Sequence, residues 1–262
     1  MQGSGNDFIL IDNRKGILKG KNLKDLAVTV CRPHFSVGAD GLIVIVPSRS
    51  VDFKWRFFNS DGSEAEMCGN GSRCAARFAY IKKIAPRNMS FETMAGVIRA
   101  QVKSDRVRVQ LPGVSGLRRN LDVPLESGAR TGYFINTGVP HLIYLSNDLE
   151  AEDVGGIGRR TRYHDLFKPA GTNVNFIQVL GPHRLRIRTY ERGVEGETLA
   201  CGTGSVAAAL IAASLGRVSS PVEIITRGGE KLSISFERAG DGFKDIYLEG
   251  ETQVICEGNL YI

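Results

Sequence analysis

The chain lacks most of the features that would place it in a specialised class at first reading. Among its 262 residues there are five cysteines, an odd number, and no Cys-x-x-Cys. The four histidines, His34, His141, His164 and His183, do not cluster with the cysteines in sequence, so a structural zinc site has little support. An odd cysteine count in a chain this long argues against a disulfide scaffold and for a reducing compartment. No apolar run approaches the roughly 18 residues that span a membrane. The opening MQGSGNDFILID lacks the basic-then-apolar order of a secretory signal. There is one tryptophan, and no aromatic residues interleave with the arginine groups at Arg118–Arg119 and Arg159, Arg160 and Arg162. Stacking platforms for nucleic acid are therefore missing, and those arginines read as solvated loops. The net charge of +6 fits a weak attraction for small anions. Low-complexity sequence is absent.

What is present is a phrase written twice. Met67 to Ala76 reads MCGNGSRCAA and Ala200 to Ala209 reads ACGTGSVAAA. Cys68 and Cys201 stand 133 positions apart, and the same offset carries Gly69 onto Gly202, Gly71 onto Gly204, Ser72 onto Ser205, Thr93 onto Thr226 and Gly96 onto Gly229. The order Cys-Gly turn, small-residue helix, hairpin thus occurs twice. A period this long means two domains and not a solenoid of short repeats. Each half is of ordinary domain size.

Along the first half, Phe8–Asp12, Leu42–Val46 and Phe53–Phe58 read as strands, and Leu23–Cys31 as a helix from its apolar spacing. LIVIV at 42–46 suits a strand buried on both faces. A helix is expected over Ser72–Ile84, stopped before Pro86, followed by about three strands over Ser90–Leu111. LPGVSG at Leu111–Gly116 is the best switch between domains. In the second half, strands are expected near Gly132–Ile135, His141–Leu145, Val174–Leu180, Leu185–Tyr190, Val222–Phe236 and Asp245–Leu248. A helix with loops is expected over 150–168. SVAAALIAASL at Ser205–Leu215 is apolar on every face, so this helix is enclosed, with Gly216 in the C-cap role. The tail from Thr252 is expected to return to the first half. The domains are then 1–112 with about 250–262, carrying Cys68, and 113–249, carrying Cys201.

The chemistry follows from the cysteines. A thiol at a helix N-terminus is acidified by the positive end of the dipole. Glycines beside it let backbone N–H groups approach an anion such as a carboxylate. One such turn supplies a nucleophile or a base, whereas two supply a base and an acid for one bound carboxylate. Inert packing explains Cys74, inside the helix, but does not require the same Gly-x-Gly-Ser turn in both halves.

Five segments, GSGNDF from Gly3, FFNSDGSEAEMCGNG from Phe57, TGVPH from Thr137, GTNVNF from Gly171 and YERGVEGETLACGTGS from Tyr190, together resemble diaminopimelate epimerase. The resemblance runs from about Gly3 to the C-terminus. Proline racemases and phenazine-biosynthesis isomerases share the architecture, but the wording of the two cysteine segments is nearer the epimerase. The resemblance implies an α+β fold of two pseudo-symmetric domains. Each is a curved, mostly antiparallel sheet around a central apolar helix, with the active site in the cleft between them. It implies interconversion of LL- and meso-diaminopimelate, on the route to lysine and peptidoglycan, with neither pyridoxal phosphate nor metal. Cys68 and Cys201 would carry the proton, and His141 and Glu191 would be their polar partners. The α-carboxylate would lie against Gly69, Asn70, Gly202 and Thr203. Asn6, Asn59, Asn173, Glu191 and Arg192 would hold the substrate, with Arg192 at the distal carboxylate. A cytoplasmic enzyme of a small-molecule substrate is implied, without nucleic-acid or membrane partners. A homodimer is left open, and so is the identity of the resting thiolate.

Three departures stand out. The chain begins almost at Gly3, which implies a shortened first strand or a misplaced start. Val139 stands where many members have Asn, and Gly41 where some have Gln. Rival readings are a racemase of glutamate or proline, a thiol redox sensor using Cys68 and Cys201, and a non-catalytic binding module.

Overall fold

A computed structural model describes residues 1–111, 113–125 and 128–261. Pro112, in the expected switch, and Ile262 lie outside the described residues. The chain separates into two compact units, Met1–Gln110 with Glu249–Ile262, and Leu111–Leu248.

The first unit contains β1 (Gln2–Gly3), β2 (Asn6–Asp12), α1 (Leu23–Val30), β3 (Gly41–Val46), β4 (Phe53–Asn59), α2 (Gly69–Ile81), β5 (Asn88–Thr93), β6 (Gly96–Lys103) and β7 (Arg106–Gln110). The strands lie side by side in chain order. Two neighbouring pairs are parallel, β2 with β3 and β4 with β5; the remainder are antiparallel. A parallel pair needs a crossover, and α1 and α2 supply the two. Leu26, Ala27 and Val30 of α1 pack on Leu42, Val44 and Phe58. Ile43 and Trp55 point the other way, toward Gly71 of α2. The alternation explains why LIVIV has no polar face: β3 is covered by a helix on each side.

The second unit contains β8 (Ser115–Leu125), β9 (Gly128–Asn136), β10 (Pro140–Leu145), α3 (Val154–Arg162), β11 (Asn173–Gly181), β12 (Arg184–Glu191), β13 (Gly196–Thr198), α4 (Gly202–Ser214), β14 (Val222–Ile225), β15 (Lys231–Ala239) and, as far as Leu248, β16 (Gly242–Glu251). Its strand order is β16-β15-β14-β12-β11-β10-β9-β8, with β13 paired to β12. The run β10, β11, β12, β14, β15 repeats the alternation of β2 to β6: parallel, antiparallel, parallel, antiparallel. Helices α3 and α4 take the crossover places of α1 and α2. The duplication read from the cysteine phrases is thus a duplication of topology. Every residue of α4 from Ser205 to Ala213 is buried. The helix is met by β9, β10, β11, β12, β14 and β15. Its alanines allow these strands to approach from several sides.

Two boundaries differ from expectation in the same way. Helix α2 starts at Gly69 and not at Ser72, and α4 starts at Gly202 and not at Ser205. The reason is the cap. Cys68 and Cys201 are extended N-cap residues whose sulfurs accept from the N–H of Gly71 and Gly204, so the glycines belong to the first helical turn. Helix α2 also ends earlier, at Ile81. Strand β8 has no counterpart among the strands expected from the sequence. Its sequence, SGLRRNLDVPL, is polar and mostly exposed, and it is held by pairing with β9. Arg118 stacks over Phe134, and Thr131 donates to Asp122 across the pair.

Candidate active site

In the first unit the site residues gather around the start of α2. Cys68 Sγ accepts from Gly71 N at 3.5 Å and lies 3.6 Å from Asn6 Oδ1. Asn6 is the first residue of β2, and Asn59 is the last of β4. Between them, Gly41 opens β3 and pairs with both Phe8 and Asn59. A Cβ at Gly41 would lie 2.6 Å from the Phe57 ring and 2.8 Å from the Phe58 carbonyl. Only glycine fits there, which gives the departure from Gln a steric cause. Asn59 Nδ2 donates to Ser63 Oγ at 2.9 Å and closes the NSDGS turn. Gly69 and Asn70 form the first turn of α2, with the Asn70 side chain buried.

Two residues not singled out from the sequence hold this group together. Arg73 is fully buried. Its Nη2 donates to Ser4 Oγ at 2.7 Å and to Asn70 Oδ1 at 3.1 Å, and so fastens the GSGN turn to the helix start. Asp40 Oδ2 accepts from Asn6 Nδ2 at 2.6 Å and from the Asp7 N–H at 3.1 Å. Neither had a signal beyond its place next to a motif: Arg73 occurs in only one copy of the repeat, where Val206 stands at the matching position.

In the second unit the corresponding residues form a row across three strands. His141 of β10 pairs with Asn173 of β11, and the next residue of β11, Val174, pairs with Tyr190 of β12, which brings Glu191 to the same end. His141 is 133 positions after Phe8, so the row of Phe8, Gly41 and Asn59 in one unit has become His141, Asn173 and Glu191 in the other. Asn173 Oδ1 accepts from Arg192 N at 2.9 Å, while its Nδ2 donates to the Pro140 carbonyl at 3.0 Å. The ERG turn is thereby anchored to the TGVPH turn. Arg192 Nη1 reaches the Ala170 carbonyl, and Glu191 Oε2 accepts from Thr198 Oγ1 at 2.9 Å.

Cys201 is buried at the start of α4. Its sulfur accepts from Gly204 N at 3.4 Å and lies 3.5 Å from Thr203 Oγ1. Thr203 Oγ1 is 3.0 Å from His141 Nε2, and His141 Nδ1 is 3.2 Å from Asn175 Nδ2. Burial, with a smaller effect of Arg192, pushes the imidazole down to about 3. His141 is therefore neutral at physiological pH. Asn175 carries no signal of its own within GTNVNF. It lies two residues beyond Asn173 on one strand, and hence on the same face.

The remaining thiols differ. Burial pushes Cys74 up to about 12 and Cys31 up to about 11. Among the described residues no group of histidine, cysteine and carboxylate side chains could hold a metal ion, and no helix is long and apolar enough to cross a membrane.

This architecture is found in solved structures of distant relatives. A phenazine biosynthesis protein of the PhzF family from Bacillus anthracis superposes with a TM-score of 0.74 at 13% identity, over 96% of this chain and 92% of that one. A hydroxyproline epimerase from Agrobacterium vitis superposes with a TM-score of 0.68 at 16% identity, over 95% and 86%. The fold is that of the PhzF and proline racemase-like proteins. Within that class, the sequence model described as diaminopimelate epimerase matches residues 1–114 and 133–255. The diaminopimelate epimerase of Hydrogenobaculum sp. (strain Y04AAS1) is 50% identical over 271 residues, covering 99% of this chain and 96% of that protein. That of Aquifex aeolicus is 47% identical over 272 residues, with the same coverage. The chain belongs to the diaminopimelate epimerase family, a family of isomerases.

Proposed function

We propose that this chain interconverts LL-diaminopimelate and meso-diaminopimelate by moving one proton at an α-carbon between two cysteines. The observation that carries the reading is the pair of sulfurs, Cys68 and Cys201, each the N-cap of a helix in its own unit. One, as thiolate, removes the α-proton. The other, as thiol, returns a proton to the opposite face. The opposite substrate configuration exchanges their roles.

An α-C–H with no electron sink attached is a very weak acid, so the reaction depends on stabilising an enediolate-like carboxylate. Backbone N–H groups of Gly69, Asn70, Gly202 and Thr203 are suited to this, because helix N-termini are fixed dipoles that need no reorganisation. The reading places the substrate in a cleft between residues 1–112 with 250–262 and residues 113–249, where closure would exclude water and strengthen those dipoles. His141 and Glu191 are proposed as partners of the cysteines. Asn6, Asn59, Asn173 and Arg192 are proposed to grip the substrate, with the Arg192 fork on the distal carboxylate. The setting proposed is the cytoplasm, without nucleic-acid or membrane partners. A homodimer is the assembly to be tested by light scattering.

The test is incubation of the pure, reduced protein with LL-diaminopimelate in heavy water. The expected result is meso product carrying deuterium at one α-carbon. Absence of both product and label refutes the reading. Glutamate and proline enantiomers under the same conditions test the rival racemase activities.

A further inference from the structure

The turn that presents Arg192 is built on an ion pair. Strands β12 and β13 meet there, with Glu191 opposite Gly196. The chain between them passes through Gly193 at φ +94° and Glu195 at φ +58°. The second is a left-handed conformation that disfavours a residue with a side chain. Glu195 is held in it from two directions. Its N–H donates to the Glu191 carbonyl at 2.9 Å. Its Oε1 accepts from the Gly193 N–H at 3.0 Å and from Arg162 Nε at 3.2 Å, and its Oε2 accepts from the Tyr190 hydroxyl at 3.3 Å. Arg162 Nη2 also lies 3.2 Å from Oε1.

Arg162 links this turn to a rigid support. In the sequence it reads as one of a solvated arginine group, but in the fold its side chain is only 15% exposed, and that of Glu195 30%. A pair this far from water is screened less than a surface one. Arg162 is the last residue of α3, and α3 is seated directly on β12: a Cβ on Gly158 would lie 2.5 Å from the Cβ of Tyr190. The guanidinium also lies against Gly171, which has φ +66° and where a Cβ would collide with it. Arg162 thus touches both segments that hold Arg192. One is 170–173, where the Ala170 carbonyl accepts from Arg192 Nη1 at 3.1 Å and Asn173 Oδ1 accepts from the Arg192 N–H at 2.9 Å. The other is the 193–195 turn.

We infer that Arg162 and Glu195 are positioning residues that fix the Arg192 guanidinium, and so set how tightly the protein grips the far carboxylate of its substrate. The inference rests on the reading that Arg192 binds that carboxylate. Both residues act through Arg192. A two-pronged contact between guanidinium and carboxylate depends on angle as well as distance. A turn that can rock therefore loses grip while the guanidinium itself is still present. The far carboxylate is remote from the reacting α-carbon, so the loss falls on binding, and KM rises while kcat changes little.

Two measurements on Glu195→Gln and Arg162→Lys test this. The first, amide hydrogen exchange resolved by NMR, needs no substrate. Glu195→Gln keeps the shape of the side chain and loses the ion pair. The N–H groups of Arg192, Gly193 and Glu195 should then exchange at least about tenfold faster, while those of α4 keep their rates. Arg162→Lys keeps the charge without the fork and should fall between. The second is steady-state epimerisation of LL-diaminopimelate. KM should rise about tenfold in Glu195→Gln and less in Arg162→Lys, with kcat within about threefold of the unsubstituted protein. A merely structural defect would remove active molecules and lower the apparent kcat at constant KM. Unchanged exchange at Arg192 and Gly193 overturns the inference, as does an unmoved KM or a loss confined to kcat. Should the unsubstituted protein leave diaminopimelate unchanged, the functional reading falls, and the exchange rates still decide whether the pair holds Arg192. Should either variant fail to fold, the other decides alone.

Discussion

Asn175 determines which nitrogen of His141 carries the proton. Its Nδ2 is shared between His141 Nδ1 at 3.2 Å and the Leu142 carbonyl at 3.1 Å, and the carbonyl leaves it no alternative orientation. A fully buried imidazole is thereby kept neutral and given one tautomer.

That burial has a stability consequence. His141 falls from the usual 6.5 to about 3 in the folded chain because burial, and next Arg192, disfavour the cation. A group with a depressed folded value contributes fully above its unfolded value, and the contribution is lost as pH falls toward the folded one. Between about pH 6.5 and 3 the protein should lose stability by up to several kcal/mol through this residue. His141→Asn should flatten that part of the urea-unfolding profile, and an unchanged slope would show that His141 does not contribute.

The two helix-start glycines should differ in tolerance. A Cβ on Gly204 would lie 2.4 Å from Asn175 Oδ1 and 3.2 Å from Cys201 Sγ, whereas one on Gly71 meets Ile43 at 3.2 Å and Trp55 at 3.4 Å. Gly204→Ala must displace the amide that orients His141, and should lower kcat about a hundredfold, within the range seen for misplaced catalytic groups. Gly71→Ala only crowds apolar side chains that can shift, and should cost about 1–3 kcal/mol of stability with a smaller loss of rate.

Arg73 is a structural cation. Removing it leaves the side chains of Ser4 and Asn70 without their donor inside the first unit. Arg73→Met should destabilise the protein by about 2–4 kcal/mol in urea unfolding. Lysine keeps the charge but has no second nitrogen to replace the Nη1 that donates to the Gly69 carbonyl, and should restore only part of the loss.

The packing thiols should be silent. With Cys74 pushed up to about 12 and Cys31 to about 11, iodoacetamide at pH 8 should leave both unmodified in the folded protein. Exposed Cys256 should react at once. Alkylation of Cys74 without unfolding would contradict its place inside α2.

Much of the fold could be read from the chain. Strand β3 declared itself by an unbroken LIVIV, and α4 by an alanine-rich run with no polar face. Both are signals of residues enclosed on all sides. Strand β8 gave no such signal, because it is an exposed ladder held by its neighbour and buries little. The sequence pattern places the helix starts three residues late because glycine is a poor helix former in isolation, whereas here the cysteine cap and the enclosing sheet hold it in the first turn.

The chain by itself determined the two Cys-Gly turns, their offset, the enclosed helices behind them and the family to which they belong. These are local patterns, and proximity in sequence is enough to write them. Only the tertiary structure decided that Asp40 turns Asn6, that Asn175 turns His141, that Arg73 joins the GSGN turn to α2, and that Phe57 leaves room for nothing but glycine at position 41. Asp40 and Asn6 lie 34 positions apart, and so do Asn175 and His141. A hydrogen bond takes its direction from whichever groups the sheets bring within 3 Å or so. That neighbourhood exists only once parallel strands on either side of a crossover helix have been laid together.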